Sequence, residues 1–161
     1  MEHHIHPIPP LYDSGSKILI LGSFPSVKSR EVCFFYGHPQ NRFWRVVSAV
    51  VGTECPKTIE EKKAFLHSAH IAVWDVIKSC DIEGSSDSSI KNAVPNDLSE
   101  IFDNADIRAV FANGAASYNM YRKYNKDGRE ITRLPSTSPA NASYSVDRLI
   151  EEWKQIREFL K

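Results

Sequence analysis

Apolar residues along this chain follow two rhythms. Lys17-Ile-Leu-Ile-Leu-Gly22 is a short unbroken apolar run that stops at glycine, the mark of a strand buried on both faces. Ile71-Ala-Val-Trp-Asp75 and Ile107-Arg-Ala-Val-Phe-Ala112 predict two more strands, and residues 130–134 a short fourth. Between them the period changes. Residues 41–51 place Phe43, Val46, Val47, Val50 and Val51 at helical spacing, with Gly52 as a stop. Thr58-Ile-Glu-Glu61 has the form of a capping box and opens a helix to about Ser68. Asn96 is expected to cap a short helix through Leu98, Ile101 and Phe102, and Asn113-Gly114 leads into a helix to about Tyr124. Ser145 caps a final helix whose Val146, Leu149, Ile150, Trp153, Ile156, Phe159 and Leu160 form one apolar stripe.

Strands alternating with helices predict an α/β fold, a mainly parallel sheet covered on both faces. The length of 161 residues suits one domain, residues 1–161, with residues 1–15 as a partly extended N-terminal segment. There is no repeat, low-complexity tract or long linker. No run of about eighteen apolar residues occurs, and MEHHIHPIPP does not have the form of a signal peptide, so membrane and secretory readings fall away. Cys33, Cys55 and Cys80 are too few and too widely spaced for a disulfide framework or a four-cysteine metal or cluster site. A cytoplasmic, reducing location is expected, and Cys33 is expected to be a buried inert thiol.

Charge adds a weak pattern. Twenty basic residues balance twenty acidic ones, so no overall field announces a polyanionic partner. Locally, Lys17, Lys28, Arg30, Arg42 and Arg45 stand against Glu31 alone, and Arg108, Arg122, Lys123, Lys126, Arg129 and Arg133 against Asp127 and Glu130. Residues 54–106 hold eleven acids and five bases. Brought together, the two basic stretches would form a phosphate-binding face; scattered over loops and helix faces, they would mean nothing.

Ligands of open parallel sheets bind beyond the carboxyl ends of the strands. Four such ends here run into polar or backbone-special sequence: Gly22-Ser-Phe-Pro-Ser26, Trp74-Asp75, Asn113-Gly114, and Pro135-Ser-Thr-Ser-Pro-Ala-Asn141. Ser23, Phe24, Asp75, Asn113, Ser136 and Ser138 are thus expected along one rim. The aromatic and basic stretch from Phe34 to Trp44 lies between the first strand and its helix. Phe43 and Trp44 suit packing. Tyr36, beside Gly37, is the better residue to stack on a base, and His38 braces the loop before Pro39. His3, His4 and His6 sit in a tail without a cluster of acidic or cysteine ligands, so no metal is expected. No Gly-x-Gly-x-x-Gly, Walker loop or Gly-x-Ser-x-Gly elbow is present, and nucleotide-cofactor and serine-hydrolase readings lack their parts.

These blocks resemble the uracil-DNA glycosylase superfamily. Gly22-Ser-Phe-Pro-Ser26 looks like its first motif, and Ser136-Thr-Ser-Pro-Ala-Asn141 occupies the place of its second. His38-Pro-Gln-Asn-Arg-Phe-Trp44 is similar to a block of the mismatch-specific uracil/thymine-DNA glycosylases. With Trp74-Asp-Val-Ile77 and Gly84-Ser-Ser-Asp-Ser-Ser-Ile90, the whole pattern most resembles the DNA-deoxyinosine (hypoxanthine) glycosylase branch. The resemblance implies a three-layer α/β/α fold around about four mainly parallel strands. It also implies a monofunctional enzyme that flips a deaminated base out of DNA and hydrolyses its glycosidic bond. No cofactor or metal is implied, nor a membrane partner. The expected partner is DNA containing a deaminated base, and the protein is expected to be a monomer.

By the same resemblance, Asn41 and Ser23 fall at catalytic positions, with Asn41 orienting the attacking water. Gly22, Phe24, Tyr36 and Asn113 would bind the base, and Ser26, Arg42, Ser136, Ser138, Ala140 and Asn141 the DNA. Two departures stand out. Phe24 occupies a position where much of the superfamily places Asp or Asn, and it can neither accept nor donate a hydrogen bond. Ala140 is too small for a strong wedge into the vacated stack. Asn41 also reads as a helix cap, and Asn113-Gly114 as a turn. A mismatch-specific uracil/thymine glycosylase and a catalytically silent binder of damaged DNA are the alternative functions.

Overall fold

The computed structural model describes residues 1–125 and 128–161; Lys126 and Asp127, counted in the second basic stretch, lie outside the described residues. The central sheet is built from β2 (Ile18–Gly22), β3 (Ile71–Asp75), β6 (Ala109–Asn113) and β7 (Ile131–Leu134), in the order β3-β2-β6-β7 and parallel throughout. Every residue of β2 is buried. Successive side chains of a strand point to opposite faces, so β2 feeds two cores. Ile18 and Ile20 pack with Phe43, Val46, Val47 and Val50 of α2 (Phe43–Val51), Leu66 of α3 (Ile59–Ala69) and Leu149 and Trp153 of α6 (Val146–Trp153). Leu19 and Leu21 pack with Ile101 of α4 (Ser99–Asn104) and Tyr121 of α5 (Ala115–Tyr124). Each fully buried aliphatic side chain contributes about 1.5–3 kcal/mol, so this strand anchors both layers. The three-layer α/β/α expectation holds.

A second sheet was not legible in the sequence. β1 (Glu2–Ile5), β4 (Ile77–Ile82) and β5 (Lys91–Pro95) form an antiparallel sheet in the order β1-β4-β5. The register of β4 against β5 shifts between Ile77 and Ser79 and again between Ser79 and Asp81, which spoils the two-residue alternation a strand shows. β1 is almost wholly exposed and has no apolar pattern at all. The N-terminal histidines do have acidic company in space. His3 Nδ1 lies 2.8 Å from Asp81, His4 Nε2 3.3 Å from Glu2, and His6 Nε2 2.7 Å from Asp75.

Helix boundaries bring further corrections. The capping box at Thr58 and Glu61 and the Ser145 cap are present as expected. Asn96 caps nothing: α4 begins after Leu98, and Asn96 Nδ2 donates to the carbonyls of Asp75 (2.9 Å) and Ile77 (3.2 Å), tying β3 to β4. The last helix tightens into a 3₁₀ turn over Lys154–Phe159. A short helix, α1 (Val27–Val32), follows the first strand end, with Ser26 as its cap and Cys33 closing it at φ 56°. Cys33 is therefore exposed rather than buried. No helix among the described residues is long and apolar enough to cross a membrane.

Candidate active site

Because the four parallel strands start together, their carboxyl ends finish together, and a cleft of about 350 Å³ opens there. It is lined by Gly22, Ser23, Phe24 and Ser26 after β2, by Asp75 at the end of β3 and by Asn113 at the end of β6. Tyr36, His38 and Asn41 enter from the loop before α2, and Ser136, Thr137, Ser138 and Ala140 from the loop after β7. A larger hollow of about 430 Å³ beside α4 gathers Asn96, Leu98 and Phe102 but no such set of strand ends. The predicted site residues line the first cleft, apart from Arg42 and Asn141.

One wall is made of amides. Asn41 Oδ1 accepts from Phe43 N and from Thr137 Oγ1, both at 2.9 Å. Asn113 Nδ2 donates to Thr137 Oγ1 and Asn113 Oδ1 accepts from Thr137 N, both at 3.0 Å. The donors fix which end of each amide is oxygen. Thr137, fully buried, is therefore the hinge between the two asparagines, and sequence reasoning had passed over it for its serine neighbours. The capping reading of Asn41 describes its Oδ1, whose two lone pairs are committed; Asn41 lines the cleft, and its Nδ2 makes no hydrogen bond among the described residues. Asn113 retains one N–H and one lone pair.

The loop carrying Thr137 is held from behind. Arg42 donates from Nε to the Thr137 carbonyl at 3.3 Å, and from its terminal nitrogens to Ser138 at 2.7 Å, Asn141 at 3.0 Å and Tyr144. A guanidinium so committed clasps the loop rather than reaching a phosphate, and Asn141 Nδ2 turns back to the Ser136 carbonyl at 3.0 Å. Ser136 and Ser138 accept from Ser138 N and Ala140 N at 3.1 and 3.2 Å, leaving their hydroxyl protons available at the mouth. Ser26 caps α1 by accepting from Ser29 N and in turn donates to Ser29 Oγ, both at 3.1 Å.

The opposite wall is acidic. Ser23 Oγ donates to Asp87 Oδ1 at 2.6 Å. Asp87 sits on an exposed 3₁₀ turn, yet its carboxyl faces inward under Ser23. That local burial pushes its pKa up, the Ser23 hydrogen bond pulls it down, and the charge of Asp75 pushes it up again. Asp75 is 5% exposed, and a Cβ on Gly22 would overlap its Oδ1, so only glycine fits above it. Asp87 was not among the expected site residues although its segment, residues 84–90, carried part of the resemblance, because nothing local shows that its carboxyl meets Ser23 64 positions away.

The aromatic residues play narrower parts than stacking alone. Tyr36 has one ring face against Phe43, 4.0 Å away, and holds φ at 50°. Its buried hydroxyl makes no well-formed hydrogen bond. Burial raises its pKa first and the Asp75 charge second, while the neighbouring Asn113 amide pulls the other way. Phe24 is 7% exposed, edge-on to His6 and beneath the Arg30 guanidinium.

The glycine turn, the Asn41 block and the Ser136–Ala140 loop, meeting in one cleft, mark a known family. Residues 9–160 match the family model of the uracil DNA glycosylase superfamily. The chain belongs to that superfamily. It is 35% identical over 150 residues to a hypoxanthine DNA glycosylase of Methanosarcina acetivorans, covering 92% of this chain and 94% of the relative. A hypoxanthine DNA glycosylase of Methanosarcina barkeri is 34% identical over 135 residues, covering 83% and 85%. A solution NMR structure from Methanosarcina acetivorans, described as a candidate uracil DNA glycosylase, superposes with a TM-score of 0.81 at 34% identity, over 95% of this chain and 96% of that one.

Within this superfamily member, none of the described lysines and arginines of the two basic stretches lines the cleft. Lys17 and Arg108 hold the carbonyls of Leu160 and Lys161 at the amino-terminal end of the sheet, away from the cleft. Arg30 donates to the carbonyls of Pro25 (2.9 Å) and Gly84 (3.2 Å). Among the described residues, no group of three or more His, Cys, Asp or Glu could hold a metal ion.

Proposed function

We propose that this protein is a monofunctional DNA glycosylase, a single domain that removes hypoxanthine from deoxyinosine in DNA. The observation that carries the reading is the cleft at the strand ends, where the Asn41 amide, the Asn113 amide and two carboxyls converge beneath a mouth of serine hydroxyls. The target nucleotide is rotated out of the duplex into the cleft, because its glycosidic bond is inaccessible in the stack. Serines 136, 138 and 26 and the backbone of their loops hold the flanking phosphates. Phe24 and the exposed part of Tyr36 pack against the base.

Hydrolysis breaks the C1′–N9 bond with its electron pair passing to the base, and a water oxygen bonds to C1′. The departing base takes up a proton and the water gives one up, so the products are free hypoxanthine and an abasic site. Asn41 holds that water. Its Oδ1 is committed to Phe43 N and Thr137, so Nδ2 is the atom that grips the water oxygen and sets its line of approach. Ser23 orders the cleft through Asp87. The names borne by the Methanosarcina relatives support the substrate, and Phe24 argues against water activation by the acidic residue used elsewhere in the superfamily.

The test is single-turnover base release from duplexes carrying one hypoxanthine or one uracil. Hypoxanthine should be released, and Asn41→Ala should slow release by about a hundredfold or more, the loss typical of one positioned polar group. Preferential uracil release would favour the mismatch-type reading. Tight lesion binding without release would make the protein a silent binder.

A further inference from the structure

The cleft floor contains a buried pair that the mechanism above does not use. His6 and Asp75 lie 2.7 Å apart, with side chains 2% and 7% exposed. The backbone N–H of Ile8 donates to His6 Nδ1 at 3.1 Å, so Nδ1 is an acceptor and the ring proton sits on Nε2, aimed at Asp75 Oδ2. The segment is pinned on either side of the imidazole. His6 N donates to the Lys78 carbonyl at 2.7 Å, and the Trp74 indole donates to the Ile8 carbonyl at 3.0 Å. Residue 6 precedes residue 9, where the match to the family model begins. The pair thus joins a residue ahead of the matched stretch, His6, to one within it, Asp75.

With Oδ2 committed to His6, the remaining oxygen, Oδ1, makes no hydrogen bond among the described residues and lies under Gly22, in the lining of the cleft. A carboxylate with one oxygen tied off is an acceptor with one place to accept. Deamination of adenine replaces a bare ring nitrogen, N1, with an N–H. An acceptor-only floor therefore meets a donor in hypoxanthine and a lone pair in adenine.

We infer that Asp75 Oδ1 accepts the N1–H of the extruded base, and that His6, a positioning residue from the N-terminal segment, holds the carboxylate in the orientation that makes this reading possible. The inference rests on the hypoxanthine reading above and names how that substrate is told from adenine. A buried acceptor that must pair with a substrate N–H discriminates strongly against analogues lacking it, because it is otherwise left facing a lone pair.

The test compares duplexes carrying one hypoxanthine with duplexes carrying one unsubstituted purine, which has the same ring system but no N1–H. Release is measured under single-turnover conditions for wild type, Asp75→Asn, His6→Leu and His6→Gln, with thermal unfolding to confirm that each is folded. Taking the ratio of the two rates in each variant cancels the intrinsic lability of the two bases. Asp75→Asn should slow hypoxanthine release by about tenfold to a hundredfold and move the ratio toward purine, since its amide can donate to a bare N1. His6→Leu should move the ratio the same way, His6→Gln should restore much of it, and His6→Leu with Asp75→Asn should be no worse than Asp75→Asn alone. A purely structural pair would change both rates together and leave the ratio fixed, and that result overturns the inference. If Asp75→Asn does not fold, His6→Leu and His6→Gln carry the same ratio test. A wild type that releases no hypoxanthine would instead remove the functional reading on which this one stands.

Discussion

The two walls of the cleft are built differently. The amide wall, Asn41–Thr137–Asn113, is a closed chain in which each group is fixed by the next and by backbone, and Arg42 braces it from behind. The acidic wall is made of two separate pairs, Ser23–Asp87 and His6–Asp75, each joining segments more than sixty residues apart. One wall gathers three segments, with Asn41 and Thr137 96 positions apart, and is made rigid by the hydroxyl they share with Asn113. The other exists only because the small antiparallel sheet docks beside β3, and it sets one carboxyl, Asp75, in the buried floor and another, Asp87, against Ser23 at the exposed edge. Rigid amides suit holding a water in line; confined carboxyl groups suit sensing where a base carries its protons.

Among changes that keep both asparagines, overpacking the acidic wall should have the largest effect. Gly22→Ala puts a methyl group where Asp75 Oδ1 lies, and His6 leaves the carboxylate no other position. Overpacking of this kind costs about 1–3 kcal/mol of stability. Base release should fall about a hundredfold, as for a misplacement of about 1 Å. Melting curves and single-turnover rates measure the two separately. A Gly22→Ala protein with wild-type rates would mean that the floor is not in contact with the base.

Loosening the amide wall at Thr137, with both asparagines kept, should have a smaller effect. Thr137→Val keeps the shape but removes the hydroxyl that serves both asparagines, leaving buried polar groups unpaired at a cost of about 1–3 kcal/mol. Release should slow by about tenfold, the equivalent of one such bond, and Thr137→Ser should recover it. If Thr137→Ser is as slow as Thr137→Val, the hydroxyl bridge is not what orders Asn41.

The smallest effect sharpens the comparison through pH. Asp87→Asn retains an acceptor for Ser23 and removes the charge. The folded pKa of Asp87 lies above the ordinary aspartate value of 3.8, so the unfolded chain gives up this proton more readily than the folded one. Stability from the protonated group is fully present below 3.8 and is lost as pH rises through the folded value. Thermal unfolding of both proteins should show wild type falling behind Asp87→Asn across that window and staying behind above it. A gap of the opposite sign would mean that the carboxylate is welcomed by its surroundings.

Much of this protein was determined by local sequence. The β2 run from Ile18 to Gly22, the Thr58 capping box and the Ser145 cap set their elements through neighbours within a few residues, and alternating strands and helices then favour one parallel sheet. The cleft followed from that, because parallel strands deliver their ends to one edge. The tertiary structure decided the rest. β4 hid behind register shifts, β1 behind an exposed surface, and the partners of His6, Asp87 and Arg42 lie 64 to 102 positions away along the chain. Periodicity reports which face of an element is buried, not which distant side chain meets it. Arg42 in sequence is a cation beside an asparagine; folded, its donors are taken up by carbonyls that the loop after β7 turns toward it, because backbone oxygens facing away from water need a donor from whatever group reaches them.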